Sequence, residues 1–130
     1  MKGALGYVEY AYVKKNNMTF LQLQNADGKY VAPDDATFAA AAASADWFSV
    51  PGMGISMVNA KGANSWPVST ASFILMYADP ADKAQSAEVL KFFDWAFKNG
   101  KTMAADLDYV PLPDALTAQI RSKVWSQIKK

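Results

Sequence analysis

The sequence predicts an α/β fold in which short sheets are covered by helices. Three observations carry that expectation. Phe73-Ile74-Leu75-Met76-Tyr77 is apolar at every position, the pattern of a strand covered on both faces. In the stretch Glu88 to Lys98, Val89, Leu90, Phe93, Ala96 and Phe97 recur at helical spacing and make one apolar stripe. Between Asp35 and Ala45 the chain is mostly alanine, the strongest helix former.

The elements follow in chain order. Gly3 to Val8 reads as a short buried strand opened by glycines, and Glu9 to Lys15 as a short helix stopped by Asn16-Asn17. Met18 to Gln24 alternates and reads as a strand. Asn25-Ala26-Asp27-Gly28 is a turn, with Tyr30-Val31 expected to pair back as a brief second strand. A helix starts at Pro33-Asp34-Asp35, where either aspartate can cap it, and runs to Ala45. Ser49 to Asn64 is glycine-bearing and weakly patterned, a loop with a short strand expected near Ile55–Val58. Trp66-Pro67 is a boundary, because proline pushes its predecessor into extended geometry.

Ser69 to Tyr77 is the central strand, ended by Asp79-Pro80. A helix follows from about Ala81 to Lys98, with Glu88/Lys91 and Asp94/Lys98 paired on its polar side. Asn99-Gly100 stops it, glycine tolerating the left-handed C-cap conformation. Lys101 to Leu107 adds a helical turn or two. Asp114 to Ile128 is a last helix, edged by Leu116, Ile120, Val124 and Ile128, with Lys129 and Lys130 at its negative end. The expected core joins strand and helices: Phe73, Leu75, Leu90, Phe93, Phe97, Leu116 and Ile120.

Composition narrows the function classes. The 130 residues fit one modest domain, and 52% hydrophobic with 13% aromatic content argues against disorder. Cysteine and histidine are both absent, which removes disulfides, thiolate sites and the commonest metal ligand and general base. The net charge is +1, with five lysines against five acids in residues 1–66 and eight basic against seven acidic residues in 67–130. Nothing there draws the chain to nucleic acid. The run Phe73 to Ala78 is far short of the roughly 20 apolar residues a membrane-spanning helix needs. Met1-Lys2-Gly3 leads directly into GALGYV without an apolar leader, so the expectation is a stretch whose parent N-terminus lies elsewhere.

Candidate chemistry is sparse. Asp106 and Asp108, two apart, form a carboxylate pair that reads as solvated loop acids more readily than as a metal or hydrolytic site. Gly52-Met53-Gly54 lacks the GK[ST] of a phosphate loop. The single arginine, Arg121, lies midway along the last helix and reads as a surface residue. Ser69, Thr70 and Ser72 follow the Trp66-Pro67 boundary. They line a cleft on one reading and a strand entrance on the other. Trp95 falls toward the polar side of its helix and is the candidate contact with another chain or lobe. No catalytic, metal or cofactor residue is assigned.

Three segments carry a family resemblance: GALGYVEYAYVKKNN (Gly3–Asn17), WPVSTASFIL (Trp66–Leu75) and EVLKFFDWAFKNGKTMAADLDYVPLP (Glu88–Pro113). In that order and spacing the chain resembles the C-terminal portion of the periplasmic phosphate-binding proteins of ABC phosphate importers, type II periplasmic binding proteins. The resemblance implies a two-lobe fold closing over inorganic phosphate, delivery to an ABC phosphate permease, a periplasmic location and no catalysis. It implies that residues 1–66 complete the second lobe. Trp66-Pro67-Val68 would be the last crossing, and residues 67–130 would return to pack on the first lobe. Trp66, Pro67, Ser69, Thr70 and Ser72 are then the hinge or cleft-lining candidates. The family's phosphate ligands are Ser/Thr hydroxyls, helix-start amides, an aspartate and an arginine. They precede GALGYVEY, so none is carried by this stretch. Without its neighbours the stretch is expected to self-associate as a homodimer. The alternative is a small stand-alone α/β scaffold or interaction protein that does not bind phosphate.

Overall fold

The computed structural model describes residues 3–129. Met1, Lys2 and Lys130, and the readings placed on them, lie outside the described residues. The fold is mixed, with five α-helices and one small sheet among the described residues. In order these are α1 (Tyr10–Lys15), β1 (Leu23–Gln24), β2 (Tyr30–Val31), α2 (Asp35–Ser44), α3 (Lys83–Asn99), α4 (Lys101–Asp106) and α5 (Asp114–Gln119). A 3₁₀ turn spans Pro51–Met53. A π-helical turn, Ile120–Val124, and a 3₁₀ turn, Trp125–Gln127, prolong α5.

Local chemistry explains the elements that form. Asn17, in the left-handed region at φ 48°, ends α1. β1 and β2 pair antiparallel, Leu23 with Val31 and Gln24 with Tyr30, around a turn in which Gly28 takes φ 74°. Asp34 caps α2 through a capping box: its Oδ1 accepts from Thr37 N–H at 2.8 Å, and Thr37 Oγ1 accepts from Asp34 N–H at 3.0 Å. Asp82 caps α3 by accepting from Gln85 N–H at 2.9 Å, so this helix begins at Lys83 and not at Ala81.

Gly100 has φ −83° and is not left-handed, which corrects the reason for its presence. A Cβ on Gly100 would lie 2.6 Å from the Ala96 carbonyl oxygen. The glycine is there for want of room, and α4 starts directly from it. The last helix does not run unbroken to Ile128. It passes from α through π to 3₁₀ geometry.

The core corrects the expectation most. Ala42, Trp47, Met57 and Leu116 form the buried cluster, with Phe48, Ile55, Ala71, Leu112 and Ile120 packed against it. Trp47 follows the end of α2 and is anchored by its indole N–H, which donates to the Ala42 carbonyl at 2.7 Å. Leu90 and Leu116 are buried as expected, and Phe93, Phe97 and Ile120 are half-buried. Phe73 and Leu75 are exposed, Leu75 to 93%. Residues 69–77 are not a sheet strand among the described residues. They take no regular secondary structure, and no strand pairs with them. Gly3–Val8 is likewise unpaired and exposed, Tyr7 to 99%. Of the strand expected over Met18–Gln24 only Leu23-Gln24 forms, and Ile55–Val58 is loop. Pairing needs a neighbour, and the fold supplies one only for the hairpin.

Candidate functional site

The segment Trp66 to Ser69 is held by backbone bonds to two places. Trp66 N–H donates to the Thr37 carbonyl on α2 at 3.1 Å, and the Pro67 carbonyl accepts from Asn59 N–H at 2.7 Å. The Trp66 ring meets Phe38 edge-on at 6.4 Å, and Phe38 meets Tyr10 at 5.3 Å. Trp66, Pro67 and Ser69 are buried. The Ser69 hydroxyl donates to the Trp66 carbonyl at 3.0 Å, so it staples this segment from within. Thr70 and Ser72 are exposed, and neither hydroxyl is held by another described residue.

Asn25 fixes the loop that leads into Trp66, and nothing in the local sequence pattern marked it for that. Its buried amide donates to the carbonyls of Gly62, Ala63 and Ser65 at 3.1, 2.9 and 3.2 Å. Its Oδ1 accepts from Asp27 and Lys29 N–H at 3.1 and 3.0 Å. One side chain thus ties the hairpin turn to the loop that enters Trp66. The only sequence signal is the residue type at a turn, where asparagine is ordinary.

The single arginine and the starts of the two longest helices are occupied. Arg121 is not a free surface cation. Its Nε donates to Asp94 Oδ1 at 2.7 Å, and its guanidinium lies over the stacked rings of Phe97 and Trp125, 5.6 and 5.9 Å from their centroids. The other Asp94 oxygen accepts from Lys98 Nζ at 2.5 Å. These hydrogen bonds, Lys98 first and Arg121 second, hold the Asp94 carboxyl below its ordinary value. Two helix starts are also taken: α2 and α3 carry the capping carboxylates of Asp34 and Asp82, whereas α1, α4 and α5 have no side-chain cap. A carboxylate at a helix N-terminus takes the amide donors and the favourable end of the dipole that an anion would need.

Asp108 pairs with Lys14, and Tyr109 OH lies 3.5 Å from Glu9. The Asp108 hydrogen bond raises the Lys14 ammonium above its ordinary value. Asp106 and Asp108 therefore do not converge on one ligand. No group of three or more His, Cys, Asp or Glu able to hold a metal occurs among the described residues. Trp95 is close to half-exposed, and Phe92, one turn before it on α3, is exposed. Two shallow clefts, about 210 and 230 Å³, flank α5, and neither gathers a set of charged groups. No helix of the described residues is long and apolar enough to cross a membrane.

No family model matches the chain. Individual relatives do. It is 45% identical over 129 residues to the phosphate-binding protein PstS of Pasteurella multocida, covering 99% of this chain and 38% of that protein. It is 42% identical over 130 residues to the Haemophilus influenzae protein of the same name, covering 100% of this chain and 39% of that protein. It is 43% identical over 129 residues to the Xylella fastidiosa (strain Temecula1) protein of that name, covering 99% and 35%. The chain therefore spans well under half the length of the relatives it matches. Identity of this level along essentially every residue shows that the chain belongs to the PstS phosphate-binding protein family, as a stretch equal to 35–39% of its members' length.

Proposed function

We propose that this chain is the scaffold and crossing portion of a protein that captures inorganic phosphate in the periplasm and presents it to an ABC phosphate permease. It performs no catalysis. Residues 1–66 complete one lobe, and residues 67–130 cross at Trp66-Pro67 and return to the other. Trp66, Pro67 and Ser69 form the anchored part of the hinge, and the free hydroxyls of Thr70 and Ser72 lie toward the cleft. The observation that carries this reading is the match, along the whole chain, to proteins named for phosphate binding. The occupied Arg121 and carboxylate-capped helix starts agree with it, because they leave the ligand shell to the rest of the protein.

The test has two arms. The chain alone, titrated with phosphate at neutral pH, gives no saturable heat. Binding tighter than about 100 µM, roughly −5.5 kcal/mol, overturns the assignment of the ligand shell elsewhere. In the second arm this chain replaces the 129 matched residues of the P. multocida protein. The chimera is expected to bind phosphate. A chimera that melts cooperatively and takes none refutes the reading.

A further inference from the structure

Asn99 is the only one of the six asparagines that is followed by glycine. The structure gives both members of the pair a reason to be there. Glycine is forced at position 100, where a Cβ would lie 2.6 Å from the Ala96 carbonyl oxygen. Asn99 ends α3, and its side-chain amide donates to the Trp95 carbonyl at 3.0 Å. The same pair is chemically exposed. Glycine has no side chain to shield its backbone nitrogen, so that nitrogen can attack the side-chain carbonyl carbon of the asparagine before it.

The junction between α3 and α4 opposes the attack. The Gly100 N–H donates to the Ala96 carbonyl at 2.7 Å, so the proton that must leave is held. The Asn99 carboxamide is drawn back to Trp95, in the direction helical side chains lean and away from the following nitrogen. Ring closure also needs Asn99 to leave helical geometry. Gly100, at φ −83° and ψ −4°, carries that geometry on, and the Ala104 N–H bonds its carbonyl at 2.8 Å. The hold is local, however. Asn99 is exposed, no side chain caps the start of α4, and helix ends open before helix centres.

We propose that Asn99-Gly100 is a deamidation site, closed while the α3–α4 junction is helical and opened by fraying of that junction alone. Solvent base takes the Gly100 N–H proton. The nitrogen electron pair forms a bond to Asn99 Cγ, and the Cγ–Nδ2 bond breaks with loss of ammonia, leaving a succinimide. Water then opens the ring. Cleavage between the ring nitrogen and Cγ gives aspartate, and cleavage between the nitrogen and the backbone carbonyl carbon gives isoaspartate. Either product sets a carboxylate at the negative end of α3, where an amide donor stood. Isoaspartate also lengthens the main chain by a methylene group. The Gly100–Ala96 and Ala104–Gly100 bonds then lose their register, and α4 no longer runs on from α3. None of this depends on whether the chain serves phosphate capture.

The test incubates the chain at mildly alkaline pH, folded and in guanidinium chloride, and follows every asparagine by peptide mass spectrometry. In the folded chain Asn99 is expected to react before Asn16, Asn17, Asn25, Asn59 and Asn64. Its rate there should be at least about tenfold below the rate in guanidinium. Lys98 is exposed in the last turn of α3, so Lys98→Gly weakens that turn. It should speed the folded-state reaction about fivefold and leave the rate in guanidinium unchanged. Leu116→Ala lowers global stability away from the junction and should leave the folded-state rate unmoved. The isoaspartyl product, isolated by ion exchange, should exchange its Gly100 and Ala104 amide protons at least about tenfold faster than the parent. The proposal fails if folded and unfolded chains react at one rate, if another asparagine reacts first, or if Lys98→Gly changes nothing. It fails equally if Leu116→Ala accelerates the reaction as much as Lys98→Gly, because the whole fold must then open. Parent-like exchange in the isoaspartyl product refutes the parting of α4 from α3.

Discussion

Leu116→Ala and Leu75→Ala, made separately, discriminate between two locations for the core. Leu116 is 6% exposed, in contact with the Ala42, Trp47 and Met57 cluster, and Leu75 is 93% exposed. Truncating a buried leucine costs about 2–5 kcal/mol, less where the surroundings relax or water enters. Here α5 is only six residues long, and a cleft of about 210 Å³ opens beside Trp47 and Leu116. The lower half of the range, about 2–3 kcal/mol, is therefore expected. For a chain of this size that lowers the melting temperature by roughly 10 °C. Leu75→Ala removes almost nothing from contact and should stay within about 0.5 kcal/mol of the parent. Thermal and urea unfolding followed by circular dichroism measure both. If Leu75→Ala destabilises as much as Leu116→Ala, residues 69–77 are packed in solution, and the core lies along the strand the sequence pattern suggested.

Three further outcomes are expected. Asn25→Ala strands the Gly62, Ala63 and Ser65 carbonyls and should cost about 1–3 kcal/mol, with faster exchange of the Gly62–Ser65 amides. Unchanged exchange there would mean the loop is held by other contacts. Gly100→Ala, usually stabilising at negative φ, should instead destabilise by about 1 kcal/mol or more, because the methyl meets the Ala96 carbonyl. A gain in urea midpoint would refute the steric argument. Asp94, held below its ordinary 3.8 by Lys98 and Arg121, contributes stability that is complete above that value and lost as pH falls through its lower folded value. Asp94→Asn should flatten that acid limb. Lys14, raised above 10.5 by Asp108, behaves oppositely: its contribution is present below 10.5 and lost as pH rises through the folded value, so Asp94→Asn should leave the alkaline limb unmoved.

Elements whose causes are local were legible in the sequence. Asp34 sits beside the helix it caps, Asn17 stops α1, and the Asn25–Gly28 turn brings Tyr30-Val31 back on Leu23-Gln24. Asp82 was not legible as a cap, and the sequence pattern starts α3 at Ala81. The family was legible too, because three ordered segments carry more information than any single motif. What depends on distant partners was not. Nothing near Trp47 or Met57 shows that they meet Leu116, some sixty to seventy residues on. Arg121 read as a surface residue because its partner, Asp94, lies one helix away, and the acid had already been matched to Lys98. Residues 69–77 carry the pattern of a covered strand, but pattern describes what a segment needs and is silent about whether the neighbour lies in the same stretch of chain. Of the hinge and cleft candidates, Ser69 looked like its neighbours Thr70 and Ser72 until burial and the Trp66 carbonyl separated them.

The π-helical turn at Ile120–Val124 sets how the end of the chain tolerates insertions and deletions. A π turn accommodates one residue more than an α turn over the same rise. That extra residue lets α5 present Leu116 to the Trp47 cluster while Trp125 still stacks on Phe97 at 5.6 Å. Loss of any one residue between Ile120 and Val124 would relax the turn to α and swing everything beyond it by about 100° around the helix axis. Leu116 would keep its place, whereas Trp125 would leave the Phe97 ring and the Asp79–Lys129 pair would lose its register. Single-residue deletions in this turn should be costly whichever residue is removed, a length constraint that side-chain identity alone does not reveal.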